Sequence, residues 1–549
     1  VFNVFSVNTE PSVATAGGTD DNDRQMLPLP SPVLAARTLP AVTDKRYKDN
    51  SKMKKANVAL GVVIALGVVW TGASWFTGKQ VESNIDQMID QANQMIAKNY
   101  PGSHLQLSKQ NYQRHIFSSD LQLVLQGSSD ATADSLLPPG KSVILNETID
   151  HGPFPLSQLK RFNLLPAAAS VHSELVNNDT LKGLFDLSGG QSPVTADTRL
   201  GYSKSTDTRL NILPLHYADD TGKVTSQPSV IDIAADGEQN HITFNAVIGN
   251  LLLNFTNDQK LPVEMALNGL NFSGDTHLTA EGLRLGSQKM TLTSLDTKVN
   301  AQPAVSLKGA TIDTTFDDKQ GKTDGKLSYN VDDLQLKQQS LGSAALSVTL
   351  SNFDTLSVKQ FYDNYNQVVK QNLAEVASGS QQDPQQMQQS VNAAILQNLP
   401  LLLKGAPVIS VDSLTLKNSK GESSFSLKAD FNDPSTVTTA PQSLGQVADS
   451  YMKDFNATLS INMPMAQQLV SVIAQTQGYS AEDAQKSAEQ QIKGLAAMGQ
   501  MFRLTKVNDQ DIVSEVHYAQ GDVSVNGDKI PLDQFIQQYI PLLQGEGTQ

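Results

Sequence analysis

The chain has 549 residues, 55 Asp and Glu against 41 Lys and Arg, a formal charge of −14 and no cysteine. Without thiols there is no disulfide framework, no thiolate nucleophile and no cysteine zinc site, a composition compatible with the bacterial periplasm. Residues 1–52 are electrically balanced and Lys54 and Lys55 add two positive charges, so −16 falls on the body from residue 79 onward, which argues against nucleic acid as a partner.

Residues 1–52 are rich in Pro, Ser, Thr, Ala and Asp and show no apolar periodicity between Thr9 and Asn50, so they are expected to be disordered. Met53-Lys54-Lys55 resembles the start of a bacterial export signal. The preceding stretch is therefore either a start-site artefact or a cytosolic tail, and it stays outside the fold argument. Residues 53–57 read as a cytosolic basic flank.

Val58 to Thr77 is an uncharged apolar run of about twenty residues, the length a helix needs to cross the hydrocarbon core. A cleavable signal peptide would want a small residue where Trp75 stands, and a buried core helix would show a polar face. An uncleaved signal anchor fits better. Trp70, Trp75 and Phe76 lie toward its far end, where aromatic rings prefer the interface. Lys45, Arg46, Lys48, Lys52, Lys54 and Lys55 precede the run, and Lys79 is the only base in the next twelve residues. The positive-inside rule then places the N-terminus in the cytosol and the body in the periplasm of a single-pass inner-membrane protein.

Residues 78–100 are expected to form a juxtamembrane amphipathic helix, with Val81, Ile85, Met88, Ala92 and Met95 at spacings of 4, 3, 4 and 3 and with Ile89 and Ile96 widening the stripe. This stripe is either a stalk packing on its own domain or the seam of a parallel homodimer. Pro101-Gly102 ends it.

Residues 101–352 read as a β-rich half. Leu121, Leu123 and Leu125 alternate with polar residues, and Ser142 to Ile149 forms a second run. The second run leads into Asp150-His151-Gly152-Pro153-Phe154-Pro155, a rigid turn, and then into a short helix expected from Ser157 to Leu165. Alternation recurs at Val305 and Leu307, at Leu327, Tyr329 and Val331, and at Leu346, Val348 and Leu350, the pattern of an antiparallel meander with long strands.

Residues 353–549 read as an α+β half. A helical hairpin is expected over Val358 to Val376 and Met387 to Leu399, followed by strands around Leu414 to Leu416 and Phe425 to Phe431. After a strand at Ala457 to Met463, Pro464 opens a helix and Ser480 caps another, whose face carries Ala484, Ala488, Ile492, Leu495 and Gly499. Two strands, Val516 to Tyr518 and Val523 to Val525, precede a last helix from Leu532 to Tyr539. The fold class is α+β: one N-terminal transmembrane helix, then a large antiparallel β-rich body with helical hairpins.

The run KKANVALGVVIALGVVWTGASWFTGK, the turn DHGPFP, LLLKGAPVI at 401–409, NSKGES at 418–423, AAMGQMFRL at 496–504 and VNGDKIPLDQF at 525–535 resemble the YdgA family, in order, across residues 53–549. The resemblance implies an inner-membrane anchor, a periplasmic body, an envelope role and a homodimer. It brings no catalytic residues, because the family is a domain of unknown function.

The residues themselves offer little chemistry. His151 beside Asp150 is the most suggestive pair, but no G-x-S-x-G serine accompanies it, and Asp150 to Pro155 reads as a structural turn. The other histidines are scattered, no H-x-x-x-H pair occurs, and Asp317-Asp318 and Asp332-Asp333 lack calcium-loop spacing. No phosphate-binding glycine motif occurs. The expectation is a protein without cofactor, metal site or catalytic residues, acting as an envelope scaffold or binding protein. Its alternatives are a binder or carrier of lipid along an apolar sheet groove, by fold-level analogy with β-rich lipid-transfer proteins, and an unrecognised periplasmic hydrolase.

Overall fold

Side chains that alternate along a strand present opposite faces, and that alternation builds most of this molecule. The computed structural model describes residues 50–100, 102–133, 135–219, 222–257, 259–377, 384–437 and 444–543. The expected disorder up to residue 49 and the Gln-rich loop before Pro384 lie outside them. The chain divides into two units, 1–73 and 74–549. In the first, residues 50–73 are helical, and the side chains of residues 50–67 lie outside the described ones. Among the described residues no helix is long and apolar enough to cross a membrane.

Helix α1 (Asn50–Asn99) precedes β1 (Leu105–Arg114), β2 (Ser118–Gly127) and β3 (Ser142–His151). The short α2 (Leu156–Lys160) leads to β4 (Ala169–Leu175), α3 (Lys182–Leu187), β5 (Val194–Leu200) and β6 (Thr206–Ile212). Next come β7 (His216–Ala218), β8 (Gly222–Ser226), β9 (Ser229–Ala235), β10 (His241–Ile248), β11 (Leu251–Thr256), β12 (Pro262–Asn268) and β13 (Leu270–Leu278). Strands β14 (Arg284–Val299), β15 (Gln302–Asp318), β16 (Lys322–Leu336) and β17 (Gln339–Asp354) run 15 to 17 residues each. The helical hairpin α4 (Thr355–Ala377) and α5 (Pro384–Leu403) then gives way to β18 (Val408–Asn418) and β19 (Gly421–Phe431). Last come α6 (Leu444–Tyr451), β20 (Met452–Asn462), α7 (Met463–Thr476), α8 (Ala481–Met501), β21 (Lys506–Asn508), β22 (Asp511–Ala519), β23 (Asp522–Val525), β24 (Asp528–Pro531) and α9 (Leu532–Leu543).

All described strands join one antiparallel sheet. Its main order is β1-β2-β3-β4-β5-β6-β9-β10-β13-β14, continuing β15 to β20 in sequence and then β22-β23-β24. A branch β7-β8-β11-β12 attaches through β12 to the second half of β14. The sheet runs unbroken past residue 352, because β17 pairs with β18.

Fully buried apolar clusters sit toward the two ends of this order. One joins Ile85, Leu121, Ile149 and Ala169; the others lie among α7, α8, β22, β23 and α9. The long central strands hold no such cluster among the described residues.

Several expectations need correction. Helix α2 stops at Lys160, five residues short, because Phe162 takes a left-handed φ of 58° that no helix continues. Leu495 is 59% exposed: the buried face of α8 repeats every four residues through Ala484, Ala488, Ile492 and Ala496, and Leu495 falls one position off it. Helices α3 and α6 and strand β24 were not expected from the periodicity.

Candidate functional site

Among the described strands β1 pairs only with β2, which leaves its other side as a sheet edge. The second half of α1 lies along that edge. Asn93 acts as a one-residue strand: its Nδ2 donates to the Leu107 carbonyl at 2.9 Å and its Oδ1 accepts from the Leu107 N–H at 2.7 Å. Asp86 pairs with Lys109 at 2.7 Å and Glu82 with Arg114 at 3.2 Å. The apolar stripe faces inward, where Ile85 is buried and Val81 and Ile89 pack beside it. The candidate dimer seam is thereby divided: Val81 and Ile85 spend their surface on the chain's own sheet, Ala92 and Met95 are half-buried, and Met88 is 60% exposed.

Above this packing, Ser74 and Thr77 are buried and Gly78 meets the Asp150–Pro155 turn. His151 is buried to 1% exposure, with its Nε2 2.9 Å from the Ser119 hydroxyl and its Nδ1 3.4 Å from the Ile116 carbonyl. A carbonyl can only accept, so in the neutral ring Nδ1 carries the proton and Ser119 donates to Nε2. Burial holds the imidazole below its ordinary pKa; Arg114 and His115 push the same way, against the Ile116 carbonyl and Asp150. Asp150 accepts from the Ser157 N–H at 2.7 Å and so steadies the start of α2. A Cβ on Gly152 would sit 2.0 Å from the Ala167 carbonyl, so only glycine fits. Pro153 follows through a cis peptide, Phe154 is half-buried and Pro155 is buried.

Ser119 and His151 therefore meet the distance test for a nucleophile and its base. They do not have the surroundings of one. Ser119 is fully buried, and Nδ1 faces a carbonyl where an orienting carboxylate would be required. The pair locks the turn beneath the helix.

Sequence reasoning missed Glu147. It is buried beside Leu121, accepts from the Ser173 hydroxyl at 2.5 Å, and is raised above its ordinary pKa by burial. It also missed that His104, His172, His241 and His517 each contact a single aspartate. Among the described residues no cluster of three metal-ligating side chains occurs.

The largest organised feature is the sheet's apolar face. Residues directly opposite on antiparallel strands share a face, and the registers place one apolar row across eleven successive strands. It begins Leu210, Ile231, Ala246, Phe272, Met290. It continues Ile312, Tyr329, Leu346, Leu414, Phe425, Leu459. Ten interstrand spacings make this row roughly 48 Å long. Only Ala246 in it is buried; Tyr329 is 38% and Leu414 36% exposed. The neighbouring row of the other face is Asp197, Arg209, Asp232, Asn245, Ser273, Lys289, Asp313, Ser328, Ser347 and Ser413, polar throughout.

A register shift keeps the face pure on β18: Asp412 is skipped in the pairing with β17, so Val411 and Leu414 stay on one side, opposite Val348 and Leu346. Gly309 lies at φ 61° with its Cα hard against Asp332, where a Cβ would come within 1.9 Å of the carboxylate. Asp412 accepts from Thr349 at 2.6 Å and Ser410 at 2.8 Å, bonds that hold its carboxyl below the usual range. Two depressions, of about 390 and 640 Å³, border β12, β14 and β15 and β8, β11 and β12; the first is lined mainly by polar residues such as Glu264, Asp296 and Lys298. Neither depression is lined by a residue of the apolar row.

Comparison with known proteins places this architecture. The family model described as bacterial protein of unknown function, DUF945, matches residues 53–533. Protein YdgA of Escherichia coli is 37% identical over 489 residues, covering 89% of this chain and 97% of its own. YihF of the same organism is 26% identical, covering 87% and 98%, and a Haemophilus influenzae protein is 29% identical over 34% of this chain and 50% of its own. No solved structure matches. With the family model spanning most of the chain and the resemblance to YdgA running nearly end to end, the chain belongs to the DUF945 family, the family of YdgA.

Proposed function

We propose that this protein is a membrane-tethered, non-enzymatic envelope protein that binds or carries lipid acyl chains along the apolar face of its sheet. The observation that carries the reading is the row from Leu210 to Leu459, eleven apolar positions in register and mostly part-exposed. An ordinary sheet buries such a face under a second layer. Here α4 to α9 pack on β16, β17, β19, β20, β21, β23 and β24, toward one end of the order, and α1 and α2 pack on the strands at the other. A part-exposed apolar strip of that length suits flexible hydrocarbon better than a compact ligand.

The tether is the uncharged run Val58 to Thr77, with bases before it and an acidic body after it, within one continuous helix. In this reading the N-terminus is cytosolic and the body periplasmic. The test is lipid analysis of the purified full-length chain: co-purifying phospholipid at stoichiometric levels supports carriage, and a lipid-free protein returns the reading to a scaffold acting through protein contacts. Cross-linking at Met88, the exposed member of the α1 stripe, tests a second copy as that partner.

A further inference from the structure

We propose that the body makes a second contact with the lipid surface, through a preformed apolar and basic patch built around Phe162 and separate from the sheet face. Phe162 is 92% exposed, Leu164 69% and Leu165 63%, three large apolar side chains in one short loop. The loop is fastened, so the exposure is held by structure. The Asn163 N–H donates to the Gln158 carbonyl at 3.0 Å, its Nδ2 donates to Gln158 Oε1 at 2.9 Å, and its Oδ1 accepts from the Leu165 N–H at 3.1 Å. Gln158 is itself buried and donates to Ser170 at 2.8 Å. Arg199 closes the far side by donating to the Pro166 carbonyl at 2.9 Å. Phe162 takes its left-handed φ of 58° as the first residue past the C-cap of α2, with the Phe162 and Asn163 N–H groups bonded back to the Leu159 and Gln158 carbonyls, so the helix end sets the course of the loop.

Neighbouring turns at the same strand ends extend the patch. The His151 N–H bonds the Phe117 carbonyl, Gly152 bonds Ala168, and Ala168 bonds Leu200, so the turns at 115–117, 152–168 and 201–205 stand side by side. They bring Ile116, 54% exposed, and Tyr202, 59% exposed, to this end. The Tyr202 hydroxyl bonds Thr77, the last residue of the apolar run, and Trp75 and Phe76 just before it are exposed. The same turns carry Lys160, Arg161 and Lys204, all exposed, Arg161 shared with Asp197. In a chain of charge −14 such a local basic rim around apolar side chains favours anionic headgroups over an apolar protein surface.

The proposal rests on the tether reading, and one set of labels separates the two. Because the chain has no cysteine, single Phe162→Cys, Val62→Cys and Ser419→Cys variants of the full-length protein take one fluorophore each. They are reconstituted in vesicles of phosphatidylethanolamine and phosphatidylglycerol and quenched by nitroxide lipid or by aqueous iodide. The expected result is a label at 162 quenched several-fold more by nitroxide lipid than the label at 419, and shielded from iodide. A label at 162 open to iodide overturns the patch, and one shielded from both quenchers overturns it in favour of a protein partner. The label at 62 decides the tether independently: lipid-immersed, it stands even if the patch falls.

Discussion

Gly78 and His151 are in backbone-to-ring contact: a Cβ on Gly78 would lie 2.4 Å from the imidazole Cε1. The ring cannot swing aside, since Ser119 and Ile116 hold its two nitrogens. Gly78→Ala is therefore expected to destabilise the body by about 1–3 kcal/mol, the usual cost of overpacking. Gly494→Ala, in an open position on α8, should instead gain about 0.5–1 kcal/mol from helix propensity. Denaturant melts of the two variants check the contrast, and equal effects would contradict it.

Protonation of His151 is the second prediction. Its folded pKa is depressed by burial below the unfolded value near 6.5. The unfolded chain then binds the proton first, so this contribution is complete above pH 6.5 and is lost as pH falls toward the depressed folded value. The stability difference between the parent and His151→Asn should shrink across that window. A pH-independent difference would show that the ring is not held neutral. A hydrolytic role predicts the opposite pattern, loss of function in the variant with stability intact.

Asn93 closes the open edge of β1 with two hydrogen bonds. Asn93→Ala should cost about 1–3 kcal/mol, because Leu107 keeps its backbone groups but loses their partner. Amide exchange at Leu107 should accelerate in step; unchanged exchange there would mean the edge is protected without Asn93.

What could be read in advance follows from what periodicity encodes. The alternations at Leu327, Tyr329 and Val331 and at Leu346, Val348 and Leu350 state which side chains share a face within each strand. They do not state the register that sets Ile312 opposite Tyr329 and Leu346 opposite Leu414, nor the residue skipped at Asp412 that keeps Val411 on the same face. Asn93 was invisible for a related reason, being one polar residue beside a helical stripe whose partner is a backbone edge. Phe162 was misread because apolar residues at 159, 162 and 165 fit a helix until a left-handed φ ends it. His151 and its turn were legible as rigid structure, and the histidine's partner Ser119, 32 residues away, was not.

The apolar row admits a substitution that separates binding from folding. Ile312 stands part-exposed at its centre, so Ile312→Asp should cost only about 1 kcal/mol. It would nevertheless put a charge in the path of any acyl chain. Ser347→Asn, on the opposite face, leaves the row apolar. Bound lipid is expected to fall in the first variant and persist in the second; equal lipid content in both would place any ligand elsewhere.

The most direct measurement is native mass spectrometry of the full-length chain, released from detergent, with lipid extraction of the same sample. The account predicts adducts of phospholipid mass that are present in the parent and depleted in Ile312→Asp. A parent protein free of lipid under conditions that keep it folded would contradict carriage along the sheet.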